Sequence, residues 1–207
     1  MEIEVEVAVA TYNKGKIKEI EKILNTTKYK VKTPDDLGIK INIIEDGNNF
    51  VENSTIKAKT FGSLAQKITI ADDSGLEIDF LNGEPGVNSA IYLGESASYN
   101  QRFEHILAKM KDVPQNLRLA RFVCVIAIYE PIMGRIETVS SFLNGFISEE
   151  IRGENGFGYD PIFYVPQFGK TLAELNIHEK NKISHRAKAL ELAVAKLKNL
   201  EGINLQD

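Results

Sequence analysis

The chain has 207 residues, of which 43% are hydrophobic and 26% charged, enough to bury a core as one domain or as two closely joined lobes, so a wholly disordered chain is excluded. A net charge of -4 and a pI near 5.5 oppose the broad basic footprint that a nucleic-acid polymer requires, but leave room for a small anionic ligand in a local basic pocket. One cysteine, Cys124, and three histidines exclude a disulfide framework and a zinc site built on cysteine pairs, a composition suited to a reducing cytoplasm.

Met1-Glu2-Ile3-Glu4-Val5-Glu6 alternates acidic and apolar residues, unlike the basic, continuously apolar start of a signal peptide. No apolar run approaches the ~20 residues of a membrane span, so the expectation is a cytoplasmic protein without a membrane partner. Ile3, Val5, Val7 and Val9 predict a first strand, which leads into the polar turn Thr11-Tyr12-Asn13-Lys14-Gly15-Lys16. Ile17, Ile20, Ile23 and Leu24 then recur at helical spacing. A second helix is predicted from Phe50 to Lys67, and it feeds an apolar strand ending at Asp72. Leu81-Asn82-Gly83-Glu84-Pro85-Gly86 is dense in turn formers.

Tyr99 to Met110 predicts a third helix, with Phe103, Ile106, Leu107 and Met110 on one face. Leu119 to Tyr129 and Ile136 to Leu143 then read as a β-hairpin, in which Cys124 is a small core residue rather than a nucleophile. Ile162 to Val165 predicts a short strand. Asn176 with Glu179 resembles a capping box opening one last helix, which Ile183, Ala187, Leu190, Val194 and Leu197 continue. No repeat and no long linker divides the chain, so residues 1–207 are expected to form one domain.

Ile70-Ala71-Asp72-Asp73-Ser74-Gly75 carries the clearest chemical signal. Adjacent carboxylates repel unless a cation or a shared proton relieves them, and a divalent metal is the simplest remedy. Glu45 is a candidate third carboxylate for an oxygen-rich magnesium site, although Glu45, Asp46 and Glu52 also fit plain turn and helix-start roles. Thr11 to Lys16 is either an ordinary strand-to-helix turn or a phosphate cradle in which backbone N–H groups act with Lys16. It is not a P-loop, because the glycine spacing is absent.

Lys57 and Lys59 point differently, so at most one of them enters a cleft. Phe157 and Tyr159, in a glycine-rich loop, are either core residues or a stacking pair for a planar base. Lys180, His185 and Arg186 form a donor-rich helix start suited to carbonyl and phosphate oxygens, or else a surface histidine with solvated cations.

Taken in order, these segments resemble the inosine triphosphate pyrophosphatase, or Ham1, family. The likeness rests on Thr11 to Lys16, Phe50-Val51-Glu52-Asn53 with Lys57-Ala58-Lys59, and Ala71 to Leu76. It continues through Gly83 to Val87, Ala120-Arg121-Phe122, Gly156 to Phe163, Glu179-Lys180 and Ser184-His185-Arg186. The resemblance implies an elongated two-lobed α/β fold with a long mixed central sheet flanked by helices, a substrate cleft between the lobes, and a homodimer. It also implies hydrolysis of ITP, dITP and XTP to the monophosphate and pyrophosphate with Mg2+.

By position, Asp73 is the expected metal-binding and water-activating acid, with Asp72 beside it and Glu45 as the other metal ligand. Thr11, Tyr12, Asn13, Lys14, Gly15, Lys16 and Ser74 fall in the triphosphate segments, with Lys57 close by. Phe157, Gly158 and Tyr159 are expected around the base, with Asp160, Lys180, His185 and Arg186 reading it. Tyr12, Asn88 and Ile91 depart from the family's usual small residue, aromatic and arginine. Readings from other classes are a non-catalytic purine-triphosphate sensor, a pyrophosphatase for other modified nucleotides, and a nucleic-acid module that the acidic balance opposes.

Overall fold

The computed structural model describes residues 4–203, with side chains to residue 200. The first members of the N-terminal alternation, Met1 to Ile3, lie outside the described residues. In chain order the strands are β1 (Val5–Val9), β2 (Tyr29–Lys32), β3 (Thr69–Ile78), β4 (Leu119–Glu130), β5 (Arg135–Ile147), β6 (Phe163–Val165) and β7 (Lys170–Thr171). The helices are α1 (Lys14–Leu24), α2 (Phe50–Ala65), α3 (Tyr99–Lys109), α4 (Ile177–Ile183) and α5 (His185–Ile203). The strands form a sheet in the order β2-β1-β3-β4-β5-β6-β7. It is mixed, since β1 pairs in parallel with β2 and β3, whereas β6 is antiparallel to β5 and β7.

Local chemistry sets most boundaries. Asn13 caps α1, its side chain accepting from the backbone N–H groups of Gly15 and Lys16 at 2.9 and 3.2 Å. Asn49 caps α2 through the Glu52 N–H at 2.9 Å. That helix ends at Ala65, two residues short of the predicted Lys67, where Gln66 takes a left-handed conformation with φ 50°. The expected capping box at Asn176 and Glu179 opens α4.

Three expectations are corrected. The strand carrying Asp72 does not end there, but runs on to Ile78, because Leu76 and Ile78 continue the buried positions beyond Ser74-Gly75. The single last helix is two, broken at Ser184, whose φ of -55° and ψ of 125° leave the helical region. The second hairpin strand extends four residues past Leu143, to Ile147. The pattern also gave no sign of β2 and β7.

The chain forms two compact units. Among the described residues, the first comprises 4–73, 124–141 and 186–203, and the second 74–123 and 142–185. In the first, Val7, Val9, Ile70, Ile126 and Ile128 from the sheet pack with Ile20 and Leu24 of α1 and with Ala189, Leu190, Ala193 and Leu197 of α5. A second cluster there joins Ala8, Ala71 and Ala127 to Ala58 and Phe61 of α2. In the second unit, Leu76, Ile78, Phe122 and Phe163 pack with Phe103, Ile106 and Met110 of α3 and with Tyr159 and Ile162.

Candidate active site

Successive residues of a strand face opposite ways, and that separates the two acids of β3. Both are buried, yet they meet different cations. Asp72 Oδ2 lies 2.9 Å from Lys16 Nζ and 3.2 Å from Arg186 Nε. Asp73 Oδ1 lies 3.2 Å from Lys57 Nζ. Burial alone would raise both carboxyls. For Asp72 the charges of Lys16, Arg186 and Lys57 outweigh that cost and hold the acid well below the usual carboxylate range. For Asp73 burial prevails over Lys57, with Glu45 adding to it, and the carboxyl is raised.

Arg186 does more than face Asp72. Its Nη1 donates to Glu19 Oε2 at 2.6 Å, so two of its nitrogens serve carboxylates of the first unit. Burial opposes this guanidinium's charge, but Asp72 leads the groups that reverse the effect and raise it. Glu19 was not among the sequence candidates. Its signal was its place three residues after Lys16, on the same face of α1.

Thr11 to Lys16 lies at the start of α1 as expected, but Asn13 already takes the amide protons of Gly15 and Lys16. Thr11 Oγ1 accepts from the Asn13 N–H at 3.2 Å, and Lys14 is exposed. The Tyr12 hydroxyl donates to the Ile39 carbonyl at 3.1 Å and accepts from the Ile41 N–H at 2.9 Å, so this residue pins the segment leading to Glu45.

Glu45 is set by the turn that follows it. Gly47 donates its N–H to Asn53 Oδ1 at 2.8 Å, and a Cβ at Gly47 would stand 2.6 Å from that of Glu52, so only glycine lets the turn lie this close to α2. Glu52 accepts from the Asn48 N–H at 2.7 Å and from the Asn49 amide at 2.8 Å, the structural role that its helix-start position suggested. Five residues further along α2, Lys57 Nζ reaches Glu45 Oε2 at 2.7 Å while holding Asp73. Burial works against the Lys57 charge, but Asp73, Asp72 and Glu45 outweigh it and keep the ammonium above its ordinary range. Lys59 is exposed.

Among the described residues no group of three or more His, Cys, Asp or Glu side chains is placed to hold a metal. The pair Glu45 and Asp73 nevertheless fits a hard divalent cation. It offers carboxylate oxygens already bridged by one positive charge, and Asp73 Oδ2 is buried with no hydrogen-bond partner among the described residues. Magnesium is commonly held by one or two carboxylates, the remaining positions going to water and substrate phosphate.

In the second unit, the loop before Asp160 is built around one ion pair. Lys180 Nζ lies 2.6 Å from Asp160 Oδ2, which also accepts the Phe157 N–H at 2.8 Å. Gly156, at φ +81°, has no space for a Cβ beside the Asp160 carboxylate. The Phe157 ring is 40% exposed with Lys180 Nζ 4.8 Å from its centroid, a cation–π contact.

Tyr159, by contrast, lies in the core. Its ring meets Tyr99 and Phe103 edge-on at 5.5 and 6.1 Å, and its hydroxyl donates to the Ser89 carbonyl at 2.9 Å. That leaves Phe157 as the open aromatic of the two. Gly158, with φ +63°, joins them, and Ser74 sits half-buried in β3. His185 is buried, its ring stacked on Phe122 at 5.0 Å and 4°.

Arg102 and Ser89 also went unsuspected. Arg102 is buried against the Tyr99 ring at 4.9 Å and donates to the carbonyls of Ser89 and Gly94 at 3.5 and 3.3 Å. Helical spacing had marked only its apolar neighbours.

No helix among the described residues is long and apolar enough to cross a membrane. A sequence model of the Ham1 family matches residues 7–196. A dITP/XTP pyrophosphatase of Desulforamulus reducens is 45% identical over 192 residues, covering 93% of this chain and 95% of that protein. One from Bacillus subtilis is 46% identical over 186 residues, 90% of this chain and 93% of its own. Among solved structures, the Ham1 protein of Staphylococcus aureus superposes with a TM-score of 0.84 at 40% identity, covering 94% of this chain and 98% of that one. A HAM1 protein from Coxiella burnetii gives 0.86 at 38% identity, with coverage of 94% and 99%. Sequence and fold agree over nearly the whole chain, which belongs to the Ham1 family.

Proposed function

We propose that this protein hydrolyses deaminated purine nucleoside triphosphates, namely ITP, dITP and XTP, to the monophosphate and pyrophosphate. The observation that carries the reading is that the adjacent acids meet different cations, Asp72 facing Lys16 and Arg186 and Asp73 facing Lys57, in a chain 45–46% identical to dITP/XTP pyrophosphatases. Two adjacent acids whose surroundings push them apart are suited to different tasks.

Asp73 is the proton acceptor. Its Oδ2 is buried with no hydrogen-bond partner among the described residues, an acceptor placed to take a proton from water. Water adds its oxygen to phosphorus, the α–β phosphoanhydride bond breaks, pyrophosphate leaves with the bridging oxygen, and the water's proton passes to Asp73. Asp72 stays ionised and positions Lys16 and Arg186. Lys16 and Lys57 bring positive charge to the phosphate chain, with Thr11, Asn13 and Gly15 around it. This class of transfer is driven mainly by positioning and charge neutralisation.

Glu45 and Asp73 are the residues that would hold Mg2+. When bound, the ion supplies further charge on the phosphate oxygens and acidifies water. Phe157 stacks the base, with Lys180 and Asp160 beside it. A donor set that satisfies the O6 acceptor of hypoxanthine or xanthine leaves the adenine amino group unmatched, a penalty of about 1–3 kcal/mol. The family likeness further supports a homodimer acting in the cytoplasm.

Phosphorus NMR of the products from ITP tests the reaction class. Monophosphate and pyrophosphate are expected, whereas diphosphate with inorganic phosphate would refute it.

A further inference from the structure

Lys57 is placed where a metal is expected. Its ammonium lies 2.7 Å from Glu45 Oε2 and 3.2 Å from Asp73 Oδ1, joining the two carboxylates that suit a hard divalent cation. An ion bound by both groups would take oxygens at about 2.0–2.1 Å and stand within a few ångströms of the ammonium. At that separation in a buried site, like charges repel strongly. We propose that Lys57 and the divalent cation are mutually exclusive occupants of the Glu45–Asp73 pair, so that metal entry displaces Lys57 from the acids and frees it for an anionic ligand.

Three features favour such an exchange. Lys57 is buried, its ammonium bonds to the side chains of Asp73 and Glu45, and its flexible stem carries a compact charge that can swing without moving α2. Glu45 is 40% exposed at its side chain, so one of the two acids is open to an arriving ion. Asp73 Oδ2 is buried and has no hydrogen-bond partner among the described residues, which leaves a strong acceptor beside the lysine. Exchange keeps the charge at the two acids compensated whether or not a metal is bound, and the freed lysine becomes available with the metal. The pyrophosphatase reading supplies only the destination of the lysine, a phosphate chain, since the exchange itself needs no nucleotide.

The test is Mn2+ binding to the nucleotide-free protein by electron paramagnetic resonance, for wild type, Lys57→Met and Lys16→Met. Removing a direct competitor should tighten Mn2+ binding by roughly tenfold to a hundredfold in Lys57→Met. Lys16→Met removes an equal charge that contacts Asp72 instead, and should tighten it far less. Lys57→Met should also melt lower than wild type in chelator and recover when Mn2+ is added. In the wild type, which needs no substitution, Mg2+ should shift the Lys57 ammonium resonance in isotope-labelled protein. Equal affinities in all three proteins, equal tightening by both substitutions, or an unmoved Lys57 resonance under saturating Mg2+ would each overturn the exchange. None of these readouts uses turnover, so failure of ITP hydrolysis would strike the functional proposal alone.

Discussion

Asp72 and Asp73 are consecutive residues of β3, yet the first is held below the usual carboxylate range by Lys16 and Arg186, while burial raises the second. Their substitutions should therefore fail differently. Asp73→Asn should lose turnover and keep its fold, because an ionised carboxylate raised by burial costs stability that the amide does not. Asp72→Asn leaves Lys16 and Arg186 short of a buried partner, a loss of about 3 kcal/mol or more. At about 2–4 °C per kcal/mol for a chain of this size, melting curves will separate the two variants.

The pH dependence of that stability gap has a definite sign. The Asp72 carboxyl is lowered on folding, so its contribution is complete above the unfolded value of about 3.9 and is lost as pH falls towards the lowered one. In chelator, the difference in unfolding free energy between wild type and Asp72→Asn should be flat from neutrality to mild acid and shrink below about pH 4. A gap that widened on acidification would contradict the ion-pair assignment.

Cys124 is fully buried in β4, where burial first, and Asp72 next, push its thiol up to about 12. It should resist iodoacetamide at pH 8 in the native protein and react once the chain unfolds. Cys124→Ser, which buries an unmatched hydroxyl, should lose about 1–3 kcal/mol of stability. Cys124→Ala should retain full turnover.

Phe157 and Tyr159 lie two residues apart and should report on different quantities. Truncating the exposed Phe157 ring to Ala removes a stacking surface worth about 1–3 kcal/mol per base, so KM for ITP should rise while the melting temperature holds. Tyr159→Ala empties a core position packed on Tyr99 and Phe103, and should cost stability of about 3–5 kcal/mol.

Gly156→Ala tests the loop itself. A side chain there must leave the φ of +81° or displace the Asp160 carboxylate from Lys180 and from the Phe157 N–H. A strain of about 1–2 kcal/mol predicts a KM for ITP higher by roughly tenfold, with little change in kcat.

Local signals were legible where they act over a few residues. The Asn176 and Glu179 box announced α4, and the alternation of Val5, Val7 and Val9 announced β1. Asp72 and Asp73 stood out as acids in an apolar run, but Ser74-Gly75 read as a turn because the burial of Leu76 and Ile78 depends on α3 and the loop at Tyr159. The break at Ser184 was hidden because Ile183, Ala187 and Leu190 keep helical spacing across it. Partnerships over long separations left no trace in the pattern. Arg186 with Glu19, 167 residues apart, is one, and Lys57 between Glu45 and Asp73 is another. The sequence therefore named most of the candidate side chains without revealing which cation faces which acid.

The most direct measurement is pyrophosphate release from ITP, XTP, GTP and ATP in the presence of Mg2+, for wild type beside Asp73→Asn. Release from ITP and XTP far above that from GTP and ATP, abolished in the variant, is the predicted result. Equal release from all four nucleotides, or a fully active Asp73→Asn, would contradict the account.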